Sequence, residues 1–194
     1  MEKGTGCSHD QKLIRVVITG PECTGKSTLT WQLARHYHAL YIPEYAREYI
    51  TGLSHPYNYS DVEHIAGIQI RQKDEYSLRA KGLLFLDTYL IITKVWFDLV
   101  FQRRPLWIDQ ELARNEINLF LLCDIDIPWE PDPVRENGGK MREILLQLYR
   151  KELEEWGYAY RLVTGFGKQR LQNAIRHVED LLSGGITNGL ITKS

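Results

Sequence analysis

Residues 20–27 read Gly-Pro-Glu-Cys-Thr-Gly-Lys-Ser, a complete G-x-x-x-x-G-K-[ST] phosphate-binding loop, and no other feature constrains the fold as strongly. Such a loop functions only between a buried strand and a helix, and the flanks supply both. Leu13 to Ile18 is a short, apolar, β-branched run of the kind that forms a buried parallel strand, and Ser27 to Tyr37 reads as a helix. In that setting Gly20 and Gly25 let the backbone turn around an anion, and the N–H groups of Glu22, Cys23 and Thr24 face its charge. Lys26 reaches the terminal phosphates and the Ser27 hydroxyl ligates Mg²⁺. The octet therefore predicts a nucleoside triphosphate with Mg²⁺.

The rest of the chain alternates strand and helix. Ala39 to Pro43 is a second strand, followed by a short helix from Tyr45 to Ile50 and a loop from His55 to Tyr59. Ser60 to Glu63 has the form of a capping box opening a helix whose buried side carries Val62, Ile65, Ala66 and Ile68. Leu83 to Leu86 forms a third strand ending at Asp87, and Tyr89 to Phe101 is a largely apolar helix. Asn118 to Cys123 is a fourth strand. It runs into a segment too rich in proline for regular structure. A helix from Lys140 to Gly157, a strand from Tyr160 to Val163 and a last helix from Leu171 to Leu182 complete the pattern. The expected fold class is α/β, a three-layer, nucleotide-kinase-like P-loop NTPase with a five-stranded parallel sheet and a lid segment. The expected domain spans residues 13–183, with the lid at about 124–140 and flexible segments at 1–12 and 184–194.

Composition bears on the partner. The 24 basic and 25 acidic residues are spread along the chain, so there is no electrostatic footprint for nucleic acid or a membrane surface, and a small-molecule substrate is expected. Homo-oligomerisation has no readable signal. Cys7, Cys23 and Cys123 form neither a disulfide framework nor metal-ligand spacing. Leu83 to Phe101 is interrupted by Asp87, Lys94 and Asp98, which argues against a membrane span, and no signal peptide is evident. The expected location is the cytoplasm.

In a parallel sheet the C-terminal ends of the strands next to the phosphate loop open on one crevice, where their polar residues converge. Asp87 stands at such an end, suited to hold the Mg²⁺ water shell, to accept a proton from an attacking hydroxyl, or to cap the following helix. Glu44, Tyr45 and Arg47 stand at another. Glu44 is a second candidate base, and the Glu44–Arg47 pair suits a ribose hydroxyl and a phosphate, or an ion pair capping its own helix. The proline-rich segment carries Trp129, Asp132 and Arg135. Arg135 is the first choice for an arginine closing on the transferring phosphate, with Arg142 in reserve. Trp129 suits a flat, cationic ring, or packing of the lid itself. Arg103 and Arg104 read as a solvated turn.

With these residues in hand, the chain resembles the ribosylnicotinamide kinase domain of the NadR family, an AAA-type ATP-binding domain within the P-loop small-molecule kinases. The stretches that carry the likeness are residues 20–27, 43–48, 85–88 and 129–135, in the family's order. The resemblance implies ATP-dependent phosphorylation of the 5′-hydroxyl of nicotinamide riboside to nicotinamide mononucleotide, a step of NAD salvage. It places Lys26, Ser27 and Thr28 on ATP and Mg²⁺. It also sets Glu44, Arg47 and Asp87 near the ribose, Trp129 against the pyridinium ring and Arg135 in the closing flap. The same loop, acid and flap would also serve a kinase for another nucleoside or a vitamin. A nucleotide-binding regulatory switch is the reading from a different class.

Overall fold

The computed structural model describes residues 12–130 and 138–185. Five parallel strands form one sheet in the order β2-β3-β1-β4-β5. They are β1 (Ile14–Thr19), β2 (Leu40–Ile42), β3 (Leu83–Asp87), β4 (Leu119–Cys123) and β5 (Tyr160–Val163). β1 lies between β3 and β4, with Ile18 opposite Asp87 on one side and Thr19 opposite Leu122 on the other. The chain leaves β1 toward β2 and β3 on one flank and toward β4 and β5 on the other, so the crevice opens at the carboxyl ends of β1, β3 and β4.

Successive residues of β1 face opposite layers. Val16 and Ile18 pack with Leu29 and Leu33 of α1 (Lys26–Tyr37) and with Ala174 and Val178 of α7 (Lys168–Leu182). Val17 packs on the other face, in the core shared by α3 (Tyr59–Arg79), α4 (Leu90–Trp96), α5 (Leu106–Ala113) and α6 (Lys140–Glu155), while α2 (Tyr45–Thr51) buries no residue. Burial on both faces explains why the strands are continuous apolar runs without alternation. The five-strand parallel sheet covered on both sides agrees with the three-layer expectation.

Three local readings are corrected. The capping box of α3 is built by Asn58 and Asp61 instead of Ser60 and Glu63: Asn58 Oδ1 accepts from the Ser60 and Asp61 N–H groups, and Asp61 Oδ2 accepts from Asn58 N–H. The apolar helix after β3 is α4 followed by a π-helical turn, Phe97–Phe101. Arg104 is no solvated turn residue, because it bonds Asp98 and Asp109 and so ties that π-turn to α5, while Arg103 lies over the Tyr59 ring. The helix α5 itself carries no sequence-based expectation. It closes a buried network in which Lys73 Nζ donates to Glu111 Oε1 at 2.7 Å and to Glu116, and Tyr89 Oη donates to Glu111. Burial works against the charge on Lys73, but the two carboxylates outweigh it and hold its pKa above the usual lysine range.

Candidate active site

The phosphate loop joins β1 to α1 through two glycines at positive φ, a backbone conformation that strains any L side chain. A β-carbon on Gly20 (φ 139°) would stand 2.7 Å from the Cys123 carbonyl oxygen at the end of β4. Gly25 takes the left-handed conformation (φ 74°) at the N-cap of α1. Thr24 is buried and its hydroxyl donates to the Pro21 carbonyl, which also accepts from Lys26 Nζ at 2.9 Å. The lysine thus lies folded on its own loop, and α1 opens toward the crevice with no side chain on its first N–H groups. An unbonded helix N-terminus, a glycine cradle and a lysine at its rim make an anion site.

Asp87 ends β3 opposite Ile18 and is 4 % exposed. The Ser27 hydroxyl and the Glu44 N–H lie beside its carboxylate as polar groups that favour the charged form. Oδ1 is nonetheless buried with no hydrogen-bond partner. Desolvation first, and the charge of Glu44 second, push its pKa up to about 6 against the pull of Ser27 and Lys26. A cation bound beside Ser27 would satisfy the orphaned oxygen and relieve both effects. The N-cap of α4 is Tyr89, so Asp87 is not spent as a helix cap. Between them Thr88 is held at φ 69°, with its N–H on the Ile18 carbonyl. Backbone strain at a β-branched residue persists only where the surroundings enforce it, and such residues cluster at functional sites.

Glu44 occupies the N-cap position of α2, yet its side chain makes no capping bond. Together with Arg47, Glu48, Thr51 and Gly52 it lines an open hollow of about 460 Å³. Tyr45 borders a separate, narrow cleft with Asp87, and its Oη lies 3.0 Å from His64 Nε2. The structure therefore brings Lys26, Ser27, Glu44, Tyr45 and Asp87 to one crevice, with Arg47 at its mouth.

The exit of β4 behaves differently. Trp129 packs its ring on Gly138, where a β-carbon would stand 3.1 Å from Cε2, and its indole N–H is buried without a partner. Neither the hollow beside Glu44 nor the cleft beside Asp87 includes Trp129. Cys23 Sγ donates to the Glu130 carbonyl at 3.2 Å, and the buried Arg142 of α6 donates to the carbonyls of Cys23 and Ile127. Arg142, the reserve arginine, is thus a brace between the phosphate loop and the segment after β4. Asp132 and Arg135 lie outside the described residues. Two polar residues that sequence reasoning passed over, Gln69 and Gln72 of α3, line the cleft beside Asp87. Gln69 continues the spacing of Val62, Ile65 and Ala66 along the buried stripe of α3, and that spacing was the available signal.

Among the described residues no group of three or more His, Cys, Asp or Glu could hold a metal by itself. The Ser27–Asp87 pair suits an ion whose other ligands are phosphate oxygens and waters, which is the habit of Mg²⁺. No helix among the described residues is long and apolar enough to cross a membrane.

A family model described as an AAA domain matches residues 15–170. The trifunctional NAD biosynthesis/regulator protein NadR of Escherichia coli (strain K12) is 28% identical over 147 residues, covering 72% of this chain and 35% of that protein. Its counterpart in Salmonella typhimurium is 27% identical over 130 residues, 65% of this chain and 32% of that one. This chain thus spans about a third of the length of the curated relatives it matches. Among solved structures, a NadR protein in complex with NR superposes with a TM-score of 0.71 at 21% identity, over 92% of this chain and 53% of that one. Thymidylate kinase from Ehrlichia chaffeensis gives 0.62 at 11% identity, over 86% of this chain and 98% of the other. With its matched stretch running from β1 into α7, this chain belongs to the AAA domain family, and its fold is like that of the NadR and thymidylate kinase structures.

Proposed function

We propose that this domain transfers the γ-phosphoryl group of ATP to the 5′-hydroxyl of nicotinamide riboside, forming nicotinamide mononucleotide and ADP. The observation that carries the reading is the buried Asp87 facing Ser27 and Lys26 on one side and Glu44 on the other. The likeness to NadR supports the choice of substrate. In the reaction the 5′-oxygen bonds to the γ-phosphorus while the bond from that phosphorus to the bridging oxygen breaks, and the hydroxyl proton leaves to a carboxylate.

The two acids divide the work by position. Asp87 neighbours Ser27, so we place Asp87 and Ser27 at the Mg²⁺ ion, with Asp87 holding its water shell. Glu44 lines the open hollow with Arg47, so we assign Glu44 to the 5′-hydroxyl proton and Arg47 to the ribose or the incoming phosphate. Bound Mg²⁺ would neutralise phosphate charge. Lys26 leaves the Pro21 carbonyl to meet the terminal phosphates, and the N–H groups of Glu22 to Thr28 bind the rest. Trp129 contributes the flat face for the pyridinium ring, and Arg135 the closing positive charge. Little covalent chemistry is asked of the protein, and positioning with charge neutralisation supplies the rate.

The test is ADP release with Mg²⁺ and ATP across a panel of nucleosides and vitamins that includes nicotinamide riboside. A clear lead for nicotinamide riboside supports the proposal. A lead for another nucleoside replaces the substrate and keeps the kinase, whereas tight ATP binding with no turnover on any member favours a nucleotide-binding switch.

A further inference from the structure

The cleft beside Asp87 has a floor that catalysis does not use. Its lining includes Tyr45, Gln69, Gln72, Asp87 and Tyr89, and it holds about 10 Å³, room for one water-sized group. Gln69 is 7 % exposed, a burial that an amide tolerates only with its hydrogen bonds made. The buried Thr93 hydroxyl of α4 donates to Gln69 Oε1 at 2.8 Å, which fixes the amide with its NH₂ group as the free end. Among the described residues that NH₂ group donates no hydrogen bond. An oriented amide donor without a protein partner, on a residue that lines a one-atom space, suits one acceptor oxygen.

Charge narrows the identity of that oxygen. Asp87 borders the cleft, and Glu44 lines the neighbouring hollow, so the one carboxylate in the cleft wall is that of Asp87. A ligand carboxylate in the cleft would stand against Asp87, whereas the oxygen of an uncharged carboxamide meets no such repulsion, and a cationic ring bearing it is attracted. We propose that Gln69, oriented by Thr93, is the specificity-determining residue of this kinase and reads the neutral carboxamide oxygen of a cationic pyridinium riboside. This inference rests on the nicotinamide riboside reading and names the group that selects within it.

The test compares kcat/KM for three 5′-hydroxyl substrates: nicotinamide riboside, nicotinic acid riboside, whose substituent is a carboxylate, and N-ribosylpyridinium, which has no substituent. Wild-type protein is expected to favour nicotinamide riboside at least tenfold over each of the others. In Gln69→Leu the preference over N-ribosylpyridinium falls to about twofold or less. Thr93→Val, which removes only the orienting hydroxyl, lowers the same preference severalfold and decides the matter if Gln69→Leu does not fold. A preference unchanged in Thr93→Val and in any folded Gln69→Leu overturns the inference while leaving the kinase assignment standing. Absence of turnover by the wild type on all three ribosides overturns the nicotinamide reading, and this inference with it.

Discussion

Gly20 approaches Cys123 so closely that a β-carbon would stand 2.7 Å from the Cys123 carbonyl oxygen, inside the contact distance of any real side chain. The entry to the phosphate loop is therefore packed directly on the end of β4, at φ 139°. Gly20→Ala must push the loop away from the sheet, at a cost of about 1–3 kcal/mol for backbone strain alone. It is expected to weaken ATP binding at least tenfold in calorimetry. Gly67→Ala in α3, where nothing lies within 4 Å of the added carbon, is the control and is expected to be neutral or slightly stabilising. Equal ATP affinity in the two variants would contradict the packing argument.

Asp87→Asn separates function from stability. Burial and Glu44 raise the carboxyl from its ordinary value near 3.8 to about 6, so the folded chain binds this proton more tightly than the unfolded chain does. By linkage the contribution of Asp87 to stability is full below pH 4 and is lost as pH rises through about 6. At pH 7 the variant is expected to be more stable than the wild type by about 1–3 kcal/mol, with the difference vanishing near pH 4. Its turnover should fall roughly a hundredfold while the KM for ATP changes little. Turnover close to that of the wild type would remove Asp87 from the metal.

Under the proposed function the same group is expected to set the acid limb of activity. Asp87 must be ionised to hold the cation, so kcat/KM is expected to decline tenfold per pH unit below about pH 6. In Glu44→Gln the repulsion is gone and the midpoint should move to lower pH. A profile that stays flat down to pH 5 would show that the proton on Asp87 does not matter to the reaction.

The sheet and the phosphate loop were legible because their signals are local. A parallel strand buried on both faces leaves an unbroken apolar run, as in β3 and β4, and the octet from Gly20 to Ser27 carries its own mechanism. The corrections came where competing signals overlap or where long-range contacts decide. Asn58 and Ser60 both begin a cap-like spacing, and the tertiary start of α3 selects Asn58. The helix α5 is short, and its Glu111 matters through Lys73, 38 positions away in sequence. Gln69 and Lys73 were passed over because polar residues in a helix are usually solvated, although both fall on the buried stripe of α3.

Trp129→Ala distinguishes ring binding from packing. If the indole contacts the pyridinium ring, the KM for the riboside should rise about tenfold and the KM for ATP should stay within about twofold. Equal weakening of both would mean that the ring serves only its contact with Gly138 and the base of the segment after β4.

The most direct measurement identifies the product. Incubation with Mg²⁺, ATP and nicotinamide riboside, followed by mass spectrometry and phosphorus NMR, should yield nicotinamide mononucleotide with the phosphate on the 5′-oxygen and one ADP per product. Lys26→Ala protein should give none. If the wild type binds ATP tightly and leaves nicotinamide riboside unchanged, the proposed function is wrong.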